Sequence, residues 1–375
     1  MFAIMRQKVV YILSQVDKAV AFEWIVEEID KKKFELIFIL INDRFDTPFS
    51  RFLKSKKVEF YTYPLKTKLY YPITALKLAF RLKSLGKIIV HAHLFEGGLI
   101  GLTAAKLAGV KTRIFTRHHS TSHQEYFPKA VKYDKLNNFL ATKIIAISNN
   151  VKQVLIENEN VNPEKIEVVE HCFRLKNFKI VSDENVIVLR GKHKLPANKI
   201  TIGTISRYVE LKGVEYVIEA FKAIHSKYPN THLLLANSGG NYEAVIKERL
   251  SQLPSDSYTE IKFEPNLYAL YHLMDIFCHV PINSKVEAFG QTYVEALASG
   301  IPSIYTLSGI ANDFIVDQEN ALLVDYRNSE QIKEAIELLI EDNELKNKLI
   351  SNGLESVQRF ELSIMIKKLS RLYLS

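Results

Sequence analysis

The feature that most constrains the fold of this chain is an alternation between short apolar runs and amphipathic stretches. Short apolar runs bounded by turn residues indicate buried strands, and the stretches between them carry apolar residues at helical spacing. In the first half the predicted strands are residues 8–14, 35–41, 87–93, 112–118 and 143–148, and the first predicted helix is 20–32. Strands that alternate with helices predict βαβ units and a parallel sheet.

The pattern starts again in the second half. The predicted strands there are residues 199–206, 231–240, 275–281, 301–306 and 320–326, with helices between them, the first at 214–228. A polar stretch without a clear pattern, residues 175–198, separates the two series. We therefore predict an α/β protein of two doubly wound parallel-sheet domains, 1–185 and 186–360, followed by an amphipathic helix at 361–375. Ligands of open parallel sheets bind at the carboxyl ends of the strands, so a site is expected in a cleft between the domains.

The net charge of +8 is unevenly distributed along the 375 residues. Residues 1–200 hold 34 Lys and Arg against 19 Asp and Glu, a balance of +15. Residues 201–375 hold 16 against 23, a balance of −7. The opposite charges of the two halves suggest two domains that face different partners.

Several other classes of protein are disfavoured. No apolar run reaches the roughly 18–20 residues of a membrane span, and Arg6 and Lys8 interrupt the start too early for the apolar part of a secretory signal. The two cysteines, Cys172 and Cys278, make a disulfide framework or a cysteine-based metal site unexpected and fit a reducing cytoplasm.

The segment EAFGQTYVEALASGIP holds two glutamates, Glu287 and Glu295. Gly290 lets the backbone approach a ligand closely, and a helix that begins near Gln291 would point unpaired N–H groups at that turn, which suits a phosphate or a polar sugar. The carboxylates could accept hydrogen bonds from sugar and ribose hydroxyls. For either glutamate alone, a solvated loop charge or a partner of the helix dipole is the simpler interpretation. The whole string favours a nucleotide-sugar site.

A second motif, SRYVELKG, lies where the predicted strand 199–206 ends. Arg207 and Lys212 fall in a strand-to-helix turn, where two cations can clamp a diphosphate and neutralise a leaving group without a metal. The alternative is a surface ion pair for Arg207 and a solvated Lys212.

Histidines cluster at the predicted ends of two strands of the first half: His91 and His93, then His118 and His119. A histidine there could donate to a sugar hydroxyl or stabilise a developing charge, although a lone histidine at a strand end is more often structural. Zinc binding is a competing idea, but the chain lacks the Cys or HExxH spacing that would support it. Gly97 and Gly98 open the helix after the first pair.

Residues 51–87 hold ten Lys or Arg, a single acid and seven aromatic residues. Anionic membranes attract such segments, and nucleic acid would attract them too. The alternative is a solvated helix face above buried aromatic side chains.

Together these motifs resemble the glycosyltransferases of family 4, the glycosyl transferases group 1. EAFGQTYVEALASGIP resembles the family's E-x7-E signature, and SRYVELKG its S-R-x4-K-G phosphate clamp. Residues 90–119 resemble its H-x-H strand, helix and T-x-H ending, and residues 143–155 its S-x-x-V-K-x-x-L helix entry. The order and spacing match over nearly the whole chain. The resemblance implies the GT-B fold, with two Rossmann-like domains facing across a cleft. Residues 1–185 would bind the acceptor and 186–360 the donor, and the last helix, 361–375, would pack back on the first domain.

The resemblance also implies roles for single residues. Arg207 and Lys212 would hold the donor diphosphate, Glu295 the ribose hydroxyls, and Glu287 the donor sugar. The full implied donor site is Arg207, Lys212, Ser238, Gly239, Glu287, Phe289, Gly290, Gln291 and Glu295, with base selection near Ser238, Gly239 and residues 262–266. The implied catalytic residues are His118, Glu287, Arg207 and Lys212, and His93, Gly97 and His119 are placed on the acceptor side.

The chain departs from the family in two places. The glycine-rich loop that normally follows the first strand is replaced by residues 14–24, which contain no glycine. In the turn at residues 170–174, His171 and Cys172 stand where the family usually has Asn-Gly, and we give that turn no role.

We thus expect a cytoplasmic retaining glycosyltransferase, peripheral at the inner face of the membrane, that needs no metal or cofactor and acts in cell-surface polysaccharide, lipopolysaccharide or glycolipid synthesis. Its expected partners are a UDP- or GDP-linked sugar, a saccharide or lipid-linked acceptor and an anionic membrane surface, but no nucleic acid. A nucleotide-sugar 2-epimerase of the same fold and a non-catalytic polyanion-binding protein are the alternatives.

Overall fold

The computed structural model describes residues 6–65 and 67–375. These residues form two compact units that divide after Phe173: the first unit also takes in Leu362–Ser375, and the second is Arg174–Glu361. Each unit is built on one parallel sheet with a doubly wound strand order, which confirms the predicted α/β class and the two Rossmann-like folds.

The first unit has a seven-stranded sheet in the order β3-β2-β1-β4-β5-β6-β7, all parallel. Its strands are β1 (Gln7–Ser14), β2 (Phe34–Asn42), β3 (Glu59–Pro64), β4 (Ile88–His93), β5 (Thr112–Arg117), β6 (Lys143–Ala146) and β7 (Ile166–Val168). Its helices up to the division are α1 (Val20–Glu28), α2 (Pro48–Ser55), α3 (Tyr71–Ser84), α4 (Phe95–Leu107), α5 (Ser122–Tyr126), α6 (Val131–Leu140) and α7 (Asn149–Glu157). α3 packs against α4, and α4 against α6, whereas α1 packs against α2.

The second unit has a six-stranded sheet in the order β10-β9-β8-β11-β12-β13, again all parallel. Its strands are β8 (Ile200–Ile205), β9 (Thr231–Ala236), β10 (Tyr258–Ile261), β11 (Ile276–His279), β12 (Ser303–Tyr305) and β13 (Leu322–Leu323). Its helices are α8 (Lys176–Lys179), α9 (Asp183–Lys192), α10 (Val214–Lys227), α11 (Glu243–Leu250), α12 (Leu267–Tyr271), α13 (Gln291–Ala298), α14 (Ser329–Glu341) and α15 (Asn343–Ser356).

The last helix, α16 (Leu362–Leu374), belongs to the first unit and packs against β1 and α1. Met365, Leu369 and Leu372 are buried in the same core as β1. Near its end, the Tyr373 hydroxyl hydrogen-bonds the Tyr11 hydroxyl and lies 2.7 Å from His91 Nδ1. The predicted return of this helix to the first domain is therefore confirmed.

Some predicted element bounds are wrong. The strand predicted at 231–240 ends at Ala236, because Asn237 adopts a left-handed φ of +62° that ends the pleat. The polar stretch 175–198 contains α8 and α9, and Ser182 caps α9 by accepting a hydrogen bond from the Asn185 N–H. The strand predicted at 320–326 shrinks to the two residues of β13. Among the described residues, no helix is both long and apolar enough to cross a bilayer.

Candidate functional site

In the second unit, the loops that follow β8, β9, β11 and β12 are joined at the carboxyl edge of the sheet. Backbone hydrogen bonds connect them in pairs: Tyr208 N to Gly239 O (2.9 Å), Ile282 N to Leu211 O (3.1 Å) and Ile310 N to Phe289 O (2.8 Å). The segments carrying the predicted donor-site residues therefore form one continuous edge, which is where ligands of open parallel sheets bind.

A cation and a carboxylate from two of these loops contact each other directly. Lys212 Nζ forms an ion pair with Glu287 Oε1, and His279 Nε2, at the end of β11, lies 3.0 Å from the same oxygen. Burial alone would raise the pKa of the Glu287 carboxyl, but the charge of Lys212 and the hydrogen bond with His279 lower it to about 2. Glu287 is thus ionised at neutral pH, and its side chain is fixed by its contacts with Lys212 and His279.

Two glycines allow this approach. Gly213, next to Lys212, has φ +65°, and a Cβ there would lie 2.2 Å from the Val280 carbonyl oxygen. Gly290, with φ +83°, is the N-cap of α13, where a Cβ would lie 2.6 Å from the Tyr293 ring. Both positions need a residue without a side chain, which explains their place in the two motifs.

Arg207 is separate from this pair. Its side chain is exposed, and the guanidinium forms no hydrogen bond or ion pair with any residue in the described ranges. Since it lies two residues after the end of β8, it extends from the same edge as Lys212 with all of its donors available to an anion.

Glu295 lies in the second turn of α13 and is only 6% exposed. The Tyr271 hydroxyl of α12 donates to its Oε2 at 2.7 Å. Burial raises the pKa of the Glu295 carboxyl to about 7, and the Tyr271 hydrogen bond only partly opposes that rise. The two glutamates of one motif therefore differ: Glu287 is charged at neutral pH, whereas Glu295 is near its titration midpoint.

The residues expected near the base differ in exposure. Ser238 is buried, whereas a Cβ on Gly239 would meet no atom within 4 Å. In the segment 262–266, Glu264 accepts hydrogen bonds from Lys192 and His193, and Phe263 is exposed. Glu264 thus fixes the end of α9. Gly239 is the residue of this group that has free space beside its backbone.

Two of the predicted histidines of the first unit, the buried His93 and the partly buried His118, lie together. His93 Nδ1 lies 3.0 Å from His118 Nε2, and His93 stacks on Tyr11 with ring centroids 5.5 Å apart. His171, from the turn at residues 170–174, stacks on His118 with ring centroids 5.6 Å apart. His91 instead links α16 to the sheet, with Thr116 Oγ1 2.7 Å from its Nε2.

Burial determines the charge of these rings. It lowers the pKa of His91 to about 3 and that of His171 to about 4, and it holds the pKa values of His93 and His118 well below the usual range. All four are neutral at pH 7. His118 can therefore donate or accept a hydrogen bond there, but it carries no positive charge with which to stabilise an anion.

His119 belongs to a second polar group around Asp134, a buried residue of α6. His119 Nε2 lies 3.3 Å and His123 Nδ1 2.6 Å from Asp134 Oδ2, so the three residues hold possible metal-ligating atoms within 4.8 Å of one another. Arg117, paired with Glu159, lies 3.4 Å from the same carboxylate oxygen. A divalent cation would face this guanidinium, so the contacts fit a hydrogen-bonded network better than a metal centre.

The first departure from the family pattern is accommodated without glycine. After β1, Gln15 takes a left-handed φ of +52°, and the Val16 backbone is held by both polar atoms of the Asn42 amide, at 3.1 and 2.9 Å. Gly97 lies against this strand end, since a Cβ there would be 3.0 Å from the Ile12 carbonyl oxygen.

Three residues of these groups were missed by sequence reasoning: His279, Tyr271 and His171. A polar side chain within a predicted apolar segment needs a partner, but neither Tyr271 nor His171 lies in or directly after one of the predicted strands. That signal was present for His279, which interrupts the strand DIFCHVP.

Comparison with known proteins now defines the class. Residues 186–356 match the family described as glycosyl transferases group 1, and residues 25–176 match glycosyltransferase family 4. The capsular polysaccharide biosynthesis glycosyltransferase CapM of Staphylococcus aureus is 29% identical over 300 residues, covering 76% of each chain. The alpha-monoglucosyldiacylglycerol synthase of Acholeplasma laidlawii is 24% identical over 318 residues, covering 78% of this chain and 77% of that one.

Solved structures agree in fold. The crystal structure of Anabaena Alr3699/HepE in complex with UDP-glucose superposes with a TM-score of 0.81 at 18% identity, over 98% of this chain and 99% of that one. The fold is thus GT-B, and the two family matches show that the protein is a glycosyltransferase, a transferase enzyme. The chain belongs to glycosyltransferase family 4, the glycosyl transferases group 1.

Proposed function

We propose that the protein transfers a hexose from a UDP- or GDP-linked sugar to a hydroxyl of a saccharide or lipid-linked acceptor, with retention of anomeric configuration and without a metal or other cofactor. The observation that carries this proposal is the contact between Lys212 and Glu287 beside the start of α13. It supports a phosphate-binding cation adjacent to a sugar-binding carboxylate. The names of the two relatives support a role in cell-surface polysaccharide or glycolipid synthesis, and lipopolysaccharide synthesis stays part of the proposal.

In the proposed complex, Arg207 and Lys212 bind the diphosphate. Glu287 and the backbone N–H groups of Phe289, Gly290 and Gln291 bind the sugar, and Glu295 binds the ribose hydroxyls. Lys212 has three N–H donors, so it can keep its contact with Glu287 while it binds phosphate oxygens.

The transfer step then balances without an external base. The bond between sugar C1 and the diphosphate oxygen breaks, and the negative charge that grows on this oxygen is stabilised by Arg207 and Lys212. The acceptor hydroxyl attacks C1 from the face that the diphosphate leaves and passes its proton to the departing oxygen. Contact of His118 with the sugar, and the acceptor-side roles of His93, Gly97 and His119, stay part of the proposal.

A binding screen tests the donor. The purified protein is heated with each of a panel of UDP- and GDP-sugars, with and without EDTA. A true donor at 100 times its dissociation constant adds about 2.7 kcal/mol to the free energy of unfolding. We expect one donor to raise the melting temperature equally in both conditions, and Arg207→Ala and Glu287→Gln to reduce that rise. If no nucleotide sugar stabilises the protein, the proposed donor site is wrong.

Turnover separates the alternatives. Incubation with the donor alone, followed by NMR of the sugar protons, would reveal 2-epimerisation, whereas a transferase needs an acceptor for fast turnover. The anomeric coupling of the transferred sugar reports retention or inversion. A polyanion-binding protein would instead tolerate Glu287→Ala and lose binding when Lys54, Lys56 and Lys57 are changed to Glu.

A further inference from the structure

The outward face of α3 is apolar where a surface helix is normally polar. Ala75, Leu78, Ala79 and Leu82 point into the core. On the opposite side, Ile73, Leu76 and Phe80 are 50%, 51% and 77% exposed. Their spacing of three and four residues aligns them along one stripe of the helix. Such a stripe of large exposed apolar side chains points to a binding surface.

Cations border this stripe. Lys77 and Lys83 are exposed and, at 100° per residue, lie on opposite sides of it. The turn before the helix adds Lys68 and Leu69, of which Leu69 is 86% exposed. The wider segment 51–87 carries ten cations against one acid. A helix with an apolar ridge between lysines is typical of elements that lie in the interface of a bilayer.

A second helix of the same layer repeats the arrangement. α6 exposes Leu136 and Phe139, the latter at 77%, beside the exposed Lys132 and Lys135. α4 packs against both α3 and α6, and right-handed crossovers place all three helices on one face of the sheet. We call the outward sides of α3 and α6, with the turn 68–70, the basic apolar face.

We propose that the basic apolar face binds the surface of an anionic phospholipid bilayer, with Ile73, Leu76 and Phe80 inserted among the lipid headgroups and the lysines at the phosphate level. This inference deepens the proposed function and rests on it, because a lipid-linked acceptor is the reason for the enzyme to bind a membrane. The binding itself requires no sugar transfer.

Charge and shape favour the bilayer over other occupants. A second copy of the chain would bring two sets of lysines together, which like-charge repulsion opposes. Nucleic acid would interact favourably with the lysines but not with the exposed Ile73, Leu76 and Leu69, because its binding depends on phosphate contacts and base stacking. An anionic bilayer interacts favourably with both, because its phosphates attract the cations and its interface accommodates the aliphatic side chains.

Flotation with vesicles tests the proposal with the full chain. Vesicles of phosphatidylcholine alone are compared with vesicles containing added phosphatidylglycerol, at low and at high salt. We expect binding to the anionic vesicles that weakens as salt rises, and little binding to the neutral ones. Ile73→Ser, Leu76→Ser and Phe80→Ser combined should lower the partition coefficient at least tenfold. Lys77→Glu with Lys83→Glu should lower it roughly 30-fold or more.

Matched controls come from surfaces outside this face. Ile187→Ser with Val188→Ser removes exposed apolar side chains from α9, and Lys31→Glu with Lys32→Glu makes the same charge change beyond α1. Both pairs should bind like the wild type. Circular dichroism and donor-induced thermal stabilisation should be unchanged in every variant, which separates failure of this proposal from failure of the proposed function.

Three outcomes would overturn the inference. The first is no wild-type binding to anionic vesicles at low salt, and the second is full binding by the triple serine variant. The third is evidence that something other than a bilayer binds this face. That evidence would be oligonucleotide binding that competes with the vesicles and is unaffected by the serine substitutions, or a wild-type dimer in sedimentation velocity that those substitutions convert to a monomer.

Discussion

Replacement of Glu295 by Gln should make the ligand-free protein more stable at alkaline pH while it weakens donor binding. The carboxyl is buried and its pKa is raised to about 7, because burial disfavours the charged form. Its unfolded value is near 4.5. Glu295→Gln keeps the shape and an oxygen that can accept from Tyr271, but it removes the charge.

The sign and size follow from linkage. Below pH 4.5 the carboxyl is protonated in both states, so it causes no pH-dependent change in stability. Between pH 4.5 and 7 the unfolded state releases its proton while the native state keeps it, and the wild type loses stability as pH rises. A shift of about 2.5 units at 1.36 kcal/mol each makes that loss roughly 3 kcal/mol. An amide hydrogen left without a partner costs the variant about 1 kcal/mol, so a net gain of about 2 kcal/mol is expected at pH 8.

The assay is denaturant unfolding of wild type and Glu295→Gln at pH 5 and pH 8, with calorimetric titration of the donor at both. Glu334→Gln makes the same charge change at an exposed site of α14 and serves as the control. The difference in stability should be larger at pH 8, whereas donor affinity should fall most at pH 8, where wild-type Glu295 is ionised. A variant no more stable relative to wild type at pH 8 than at pH 5 would refute the reasoning.

Three further predictions concern the loops beside Glu287. Lys212→Met leaves the buried Glu287 carboxylate with one partner fewer and should lower the free energy of unfolding by about 3 kcal/mol at pH 7. Denaturant unfolding at several pH values measures this loss. The loss should shrink as the pH falls from 4.5 toward 2, where Glu287 is protonated. His279→Leu should reduce kcat/KM roughly tenfold or more by releasing Glu287, and His279→Gln, which keeps a donor, should restore much of it; equal activity of both variants would show that His279 only packs. Gly213→Ala meets a carbonyl oxygen 2.2 Å away and should lower the melting temperature far more than Gly109→Ala, which has a similar φ of +75° but open space.

The fold could be predicted to the extent that its strands are buried on both faces. β1, β2 and β4 read as apolar runs because helices cover them on each side. β3 was missed because it is an edge strand whose residues are all partly or fully exposed, so its sequence, EFYTYP, shows no apolar run. α9 was missed for a related reason: its exposed Ile187 and Val188 obscure the helical period.

The candidate site was predictable where a motif fixes the backbone and not where a partner comes from elsewhere in the chain. Gly213 and Gly290 reflect close approaches that no side chain would tolerate, so they report the local geometry. The contact of His279 with Glu287 depends instead on where β11 ends relative to the loop before α13, which is set by tertiary packing.

The two glutamates of the E-x7-E segment show why a motif cannot specify its own chemistry. Both are buried, and burial alone raises the pKa of each. Glu287 receives a cation from the loop after β8 and a histidine from the end of β11, and its pKa falls to about 2, whereas Glu295 receives one neutral hydroxyl and its pKa stays near 7. At mildly acidic pH the segment therefore carries one negative charge, and well above pH 7 it carries two. If both carboxylates bind donor hydroxyls, donor affinity must rise as the pH passes through about 7, where Glu295 ionises. This rise must vanish in Glu295→Gln, whereas binding through Glu287 must persist.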